Sequence, residues 1–174
     1  MITKIISGGQ TGADRASMDI AIEMDISYGG WCPKGRIDEI GLIPKKYEKM
    51  TEIGGVFKND KDNYDARTIL NIKSSDGTII FVPSIPLPPN IKDGTLLTIK
   101  EVIAQKKPFL LVEVTKPFEQ NISACSEWVK EHNISTLNIA GPRESSSPGI
   151  YNQVCELLRK VLPELLPSPS RCRL

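Results

Sequence analysis

Three glycines in the run Ser7-Gly8-Gly9-Gln10-Thr11-Gly12-Ala13-Asp14-Arg15 follow the apolar stretch Lys4-Ile5-Ile6 and lead into a segment of helical character. Residues of these types at this spacing suit an anion-binding loop. Gly8, Gly9 and Gly12 let the backbone turn sharply and let a ligand approach with no Cβ in the way. A helix starting at about residue 13 points unpaired N–H groups and the positive end of its dipole at the same place. Phosphate or another oxyanion is the expected guest, and a tight strand-to-helix turn with nothing bound is the alternative. The spacing is neither G-x-G-x-x-G nor G-x-x-x-x-G-K-[ST], so the loop by itself names no cofactor.

Other side chains could share that chemistry. Gly141-Pro142-Arg143-Glu144-Ser145 is a turn after an apolar run, where the Arg143 guanidinium can form paired hydrogen bonds with phosphate or carboxylate; a salt bridge to Glu144 or Asp14 is the competing reading. Gly94-Thr95 opens a helix, with Thr95 or Thr98 offering a hydroxyl to a phosphate, although a capped helix without a ligand explains it equally well. In Gly29-Gly30-Trp31-Cys32-Pro33-Lys34-Gly35-Arg36 the Trp31 indole can stack on a purine or pterin ring while Lys34 or Arg36 meets its phosphate, or it can plug the edge of a core. Cys32 reads as a packed thiol, since its sequence neighbourhood holds no histidine to activate it. Arg67 and Asn71 lie four apart on one helix face and either line the same cleft or are solvated. His132 beside Asn133 reads as the C-terminal cap of a helix.

These residues need a scaffold that gathers strand ends. Apolar, β-branched runs at 3–6, 78–82, 109–114 and 136–140 alternate with helical stretches at about 13–24, 62–73, 94–106, 119–132 and 148–162. That alternation predicts a Rossmann-like α/β three-layer sandwich, a mainly parallel sheet with helices on both faces. Ligands then bind beyond the carboxyl ends of the strands, where the candidate loops fall. Residues 25–60, rich in glycine, read as loop with one or two short strands. Pro83-Ser84-Ile85-Pro86-Leu87-Pro88-Pro89 reads as a stiff surface loop. Residues 1–164 make one domain, followed by a flexible tail at 165–174.

Composition narrows the partners. The 174 residues carry 22 basic and 21 acidic side chains, a net charge of +1, with 40% hydrophobic and 6% aromatic residues. Neither the electrostatic funnel nor the stacking platform of a single-strand nucleic-acid binder is there. No apolar run approaches membrane-spanning length and no signal segment leads the chain, so a cytoplasmic protein is expected. Cys32, Cys125, Cys155 and Cys172 form no C-x-x-C pair and His132 is the sole histidine, so neither a disulfide framework nor a protein-bound structural metal is expected. Self-association is left open.

Taken in order, Ile6 to Arg15, Gly29 to Arg36, Asp65-Ala66-Arg67-Thr68, Asp76-Gly77-Thr78, Gly94-Thr95 with Thr98, and Ala140 to Ser145 followed by Pro148-Gly149-Ile150-Tyr151 resemble the putative molybdenum carrier family over about residues 3–162. That family is similar to the wider SLOG superfamily of Rossmann-like proteins, which includes cytokinin-activating phosphoribohydrolases, DNA-processing proteins and molybdenum-cofactor carriers. The resemblance implies a phosphorylated, nucleotide-like ligand, with the molybdenum cofactor or a nucleotide as the cofactor, and a carried cofactor would bring its own metal and phosphate. In the DNA-processing relatives a G-S-R turn precedes the S-G-G-x-x-G-x-D loop; here Gly141-Pro142-Arg143 comes near the end and Ser7 to Asp14 at the start, so the chain resembles a circularly permuted branch. Permutation would place the 136–140 strand beside the 3–6 strand, with Arg143 facing the glycine loop.

The phosphoribohydrolase relatives carry P-G-G-x-G-T-x-x-E, whose glutamate is catalytic. Here Thr98 stands in its place. The leading expectation is therefore a binding protein whose ligand-binding residues are Ser7, Gly8, Gly9, Gln10, Thr11, Gly12, Asp14, Arg15, Trp31, Lys34, Arg36, Arg67, Gly94, Thr95, Thr98, Gly141, Arg143, Glu144 and Ser145, with catalytic residues unassigned. The alternative is a hydrolase acting on a nucleotide or its glycosidic bond, with Asp14 or Glu144 assisting a water.

Overall fold

A computed structural model describes residues 1–92 and 94–167. Asp93 and the tail from Ser168 onward lie outside the described residues. In chain order the elements are β1 (Lys4–Ile6), α1 (Ala13–Glu23), β2 (Ser27–Gly29), β3 (Trp31–Cys32), β4 (Ile37–Asp38), β5 (Gly41–Leu42), a 3-10 turn (Lys45–Tyr47), β6 (Thr51–Glu52), α2 (Asp60–Lys73), β7 (Gly77–Val82), α3 (Gly94–Ala104), β8 (Phe109–Glu113), α4 (Phe118–Glu131), β9 (Thr136–Ala140) and α5 (Ile150–Leu165).

The central sheet has five parallel strands in the order β2-β1-β9-β7-β8. All six residues of β7 are buried, as a strand covered on both faces requires. The first and last strands are neighbours, with Lys4, Ile5 and Ile6 opposite Thr136, Leu137 and Asn138, as permutation predicted. On one face α1 packs on α5 and α5 on α4; α2 packs on α3. The sheet is thus a Rossmann-like sandwich whose order changes direction around β1 and β9, which sets the turns after those strands side by side.

Two segments depart from expectation. The glycine-rich stretch 25–60 holds five short strands rather than one or two: β2 extends the main sheet, β3 pairs with β6, and β4 pairs antiparallel with β5. None exceeds three residues, too short to show alternation. Helix α5 continues over Pro163 to Leu165 instead of stopping at 162, because its buried stripe of Val154, Leu158, Val161 and Leu162 extends to Leu165. The Leu165 carbonyl accepts the N–H of Ile2 (2.9 Å), docking the start of the chain. His132 caps α4 as expected, its N–H donating to the Trp128 carbonyl (3.1 Å).

Candidate functional site

The glycine loop is packed against the protein's own groups. A Cβ on Gly8 would lie 1.7 Å from Arg67 Nη1 and 2.9 Å from an Asp14 carboxylate oxygen, so the space that glycine leaves is taken by a guanidinium from α2. Gly12, at φ +75°, is pressed against the turn after β9: a Cβ there would stand 2.3 Å from the Pro142 carbonyl oxygen. The Ala13 N–H, at the start of α1, donates to that same carbonyl (3.2 Å). Absence of side chains in this loop therefore lets α2 and the β9 turn close on β1.

Asp14 lies at the centre. Its carboxylate accepts the Gln10 N–H (3.3 Å) and Arg67 Nη1 (3.1 Å), and both side chains of the ion pair are buried. Burial pushes the Asp14 carboxyl above the usual carboxylate range, against the pull of the Arg67 and Arg143 charges. Ser7 Oγ lies beside the Asp14 carboxylate, and Gln10 Oε1 is buried without a partner. Arg67 Nε is likewise buried without a partner. Unsatisfied buried polar atoms are costly, so several around one loop mark a place where another group belongs.

Two cavities flank the Gly141–Ser145 turn. The first, about 530 Å³, is lined by Arg67, Arg143, Lys61, Lys92 and Lys100 together with Gly94 and Leu96. Arg143 reaches it with its guanidinium 4.9 Å from the centroid of the Tyr64 ring, a cation–π contact that fixes its direction. The structure thus brings together Arg67, Arg143 and the start of α3, which the sequence reading had joined to the glycine loop. Thr95 and Thr98 are buried on α3; the Thr98 hydroxyl donates to the Gly94 carbonyl (2.8 Å). The second cavity, about 520 Å³, is lined by Thr11, Gly12, Arg15, Glu39, Ile40, Glu144, Ser145 and Tyr151. Protein carboxylates already fill its anion positions. Glu144 accepts the N–H groups of Gly149 (2.5 Å) and Tyr151 (3.0 Å), capping α5, and Glu39 accepts from the Thr11 and Ser145 hydroxyls and the Ser145 N–H.

The remaining sequence candidates are engaged by the protein's own groups. Arg15 is bound to Asp38 (2.6 Å) and to the Gly9 carbonyl (3.2 Å). Arg36 donates to the carbonyls of Met50 (3.2 Å) and Tyr47 (3.0 Å), and Lys34 Nζ to that of Gly55 (2.7 Å). Trp31 lines a separate depression with Lys4, Lys49 and Ser74; its indole N–H donates to the Ser74 hydroxyl (3.1 Å) and Asn71 pairs with its backbone at 2.8 and 2.9 Å. Trp31 therefore lies apart from both cavities beside Arg143. Cys32 is fully buried, and burial pushes its thiol up, the state of a packed thiol. Sequence reading missed Tyr64, Lys61, Lys92 and Lys100 at the first cavity and Glu39 at the second. A basic–aromatic face at i, i+3 and i+6 on α2, formed by Lys61, Tyr64 and Arg67, was the available signal.

Comparison with known proteins bears on the family and the fold. No curated protein matches the chain. A crystal structure of a putative molybdenum carrier protein from Syntrophus aciditrophicus SB is 41% identical, covers 92% of this chain and 95% of its own, and superposes with a TM-score of 0.82. Residues 5–162 match the circularly permutated YpsA SLOG family. With the first and last strands paired and the two loop motifs in exchanged order, the chain belongs to the circularly permutated YpsA SLOG family.

Proposed function

We propose that this chain binds a phosphorylated, nucleotide-like small ligand, with the molybdenum cofactor as the leading instance, and holds its phosphate in the cavity between α2, α3 and the Arg143 turn. One observation carries the reading. Arg67, nine-tenths buried, has an unpartnered Nε, and it lines with Arg143 a cavity next to the carboxyl ends of β7 and β9. The cofactor fits through its phosphate: Arg67 and Arg143 would hold that group, with the start of α3 beside them. Among the described residues no cluster of three His, Cys, Asp or Glu is placed to hold a metal, so on this reading the metal's own ligands come with the cofactor. Ser7, Gln10, Thr11 and Asp14 serve as the frame of the site. The name of the Syntrophus protein, a molybdenum carrier, supports a molybdenum-related ligand. The reading places the protein in the cytoplasm.

The engagement of Asp14 with Arg67, and of both Glu144 carboxylate oxygens with the N–H groups that start α5, weighs against hydrolysis, since both carboxylates already serve as acceptors within the protein. Native mass spectrometry of protein purified without added ligand tests the proposal. A phosphorus-containing small molecule should accompany the wild type and be lost from Arg143→Ala. Equal occupancy in both proteins, or an empty wild type that also fails to bind inorganic phosphate, would refute it.

A further inference from the structure

The cavity on the other side of the Gly141–Ser145 turn has no part in the phosphate reading. Its volume of about 520 Å³ lies in the range of small-molecule pockets. Ile40 and Tyr151 give it apolar walls. Ile40 stands 79% exposed at the tip of the β4–β5 hairpin, and the Tyr151 hydroxyl donates to Asp19 (2.8 Å), which holds the ring in place. The polar groups on this lining are of two kinds. Glu39 and Glu144 are acceptors. Glu39 takes hydrogen bonds from the Thr11 hydroxyl and from the Ser145 hydroxyl and N–H, and Glu144 takes those of Gly149 and Tyr151. A carboxylate can accept about four, so capacity remains on both. Arg15 is a donor: its hydrogen bonds, to Asp38 and to the Gly9 carbonyl, both use Nη2, and its Nε is buried without a partner. An inorganic anion would be repelled by the two carboxylates. Among the described residues no cluster of three His, Cys, Asp or Glu is placed to hold a metal ion. A flat neutral ring fits, one that gives N–H groups to the carboxylates and offers a carbonyl to Arg15.

We infer that this second cavity takes a 2-amino-4-oxopyrimidine ring, the donor–donor–acceptor edge that guanine and pterins share, lying against Ile40 and Tyr151 with its N–H groups on Glu39 and Glu144 and its carbonyl on Arg15. Adenine carries a ring-nitrogen acceptor in the middle of the corresponding edge, where it would meet carboxylate lone pairs. A site built to pair with N–H groups rejects an analogue that lacks them, because its buried acceptors are left unmatched. The inference stands apart from the phosphate reading, since it concerns other residues and an uncharged group.

Equilibrium dialysis of the full chain against guanosine, inosine, adenosine and 6-hydroxymethylpterin, none of which carries phosphate, tests it. Guanosine, the pterin or both should bind about tenfold or more tightly than adenosine, the scale of a hydrogen bond to a charged group. Inosine, which lacks the 2-amino group, should fall between guanosine and adenosine, and the tighter of guanosine and the pterin names the source of the ring. Glu39→Gln puts an amide donor where an acceptor oxygen stood and should bring the preference over adenosine towards one. Ile40→Ser removes an exposed wall, so the variant is expected to fold; it should weaken the preferred ring by about threefold or more through lost apolar contact. Inorganic phosphate affinity should be unchanged in that variant. Equal affinity for all the rings, or binding of none, overturns the inference and leaves the phosphate reading standing. A preference that survives Glu39→Gln overturns it too. So does ring affinity untouched by Ile40→Ser, whatever the stability of the Glu39 variant.

Discussion

Replacing Gly8 by alanine adds one methyl group at the point where the Arg67 guanidinium lies 1.7 Å from the site of the new carbon. The backbone at Gly8 is not in the left-handed region, so the cost is steric rather than conformational. Absent any clash, Gly→Ala at such a position would stabilise by about 0.4–1 kcal/mol through the unfolded chain. Here the guanidinium must leave, and Asp14, buried and 3.1 Å from it, loses its charged partner. Breaking one side of a buried ion pair costs about 3–5 kcal/mol. Against a total stability of about 5–15 kcal/mol, and with a urea slope of about 2 kcal/mol/M, the unfolding midpoint should fall by roughly 1.5–2.5 M. Arg67→Ala should cost a similar amount. In the double variant the arginine is gone, so Gly8→Ala has only the Asp14 oxygen at 2.9 Å to push aside and should be close to neutral. The coupling between the two substitutions should then be about 3 kcal/mol. Additivity within about 0.5 kcal/mol would show that Gly8 does not exist to admit Arg67, and the packed-loop account of the site would fail.

Four further outcomes follow from the geometry. Arg143→Ala should weaken phosphate-ester binding by about ten- to a hundred-fold, the scale of one charged donor, read by calorimetry, with little change in melting temperature. Trp31→Ala should leave inorganic phosphate affinity unchanged, because its depression is separate from the Arg67–Arg143 cavity; a tenfold loss would bring it back to the site. Glu144→Ala should destabilise by about 0.5–2 kcal/mol in urea by uncapping α5, and a null effect would remove the capping role. Asp19 is partly desolvated, which raises its pKa, but hydrogen bonds from Lys46, Tyr47 and Tyr151 outweigh this and hold its carboxyl below the usual range. Its folded pKa is depressed, so its contribution is present above about pH 3.9 and is lost as pH falls through the folded value. Asp19→Asn should therefore lose stability at neutral pH and show a shallower acid-unfolding profile, measured by circular dichroism against pH.

The sheet was legible because burial on both faces writes itself into sequence as unbroken runs such as Thr78-Ile79-Ile80-Phe81-Val82. The pairing of β1 with β9 was legible for a different reason: the order of two loop motifs in the chain implied it, and local pattern did not. Strands β2 to β6 escaped because two or three residues carry no period. β3 and the turn after it are held by contacts distant in sequence, as Asn71 holds Trp31 and Asn63 holds Lys34 through paired hydrogen bonds from α2. The end of α5 escaped because Pro163 reads as a stop, while the burial of Leu165 outweighs the lost hydrogen bond.

At the site, residue types foretold chemistry better than they foretold partners. A glycine run before a helix says that something comes close to the backbone, and it says nothing about whether that something is a guest or the chain itself. Here it is the chain at Gly8 and Gly12, and the negative charge drawn to the helix starts is supplied internally by Asp14, Glu39 and Glu144. Filling the loop has a consequence for binding. Asp14 pulls Arg67 inward through Nη1 and leaves Nε without a partner, while Tyr64 holds Arg143 from the other side. Two guanidinium groups are thereby fixed before any ligand arrives, so little side-chain entropy remains to be lost on binding. The glycines contribute to anion recognition by admitting the arginine that performs it, which moves the proposed phosphate site from the amides of α1 to the space between α2, α3 and the Arg143 turn.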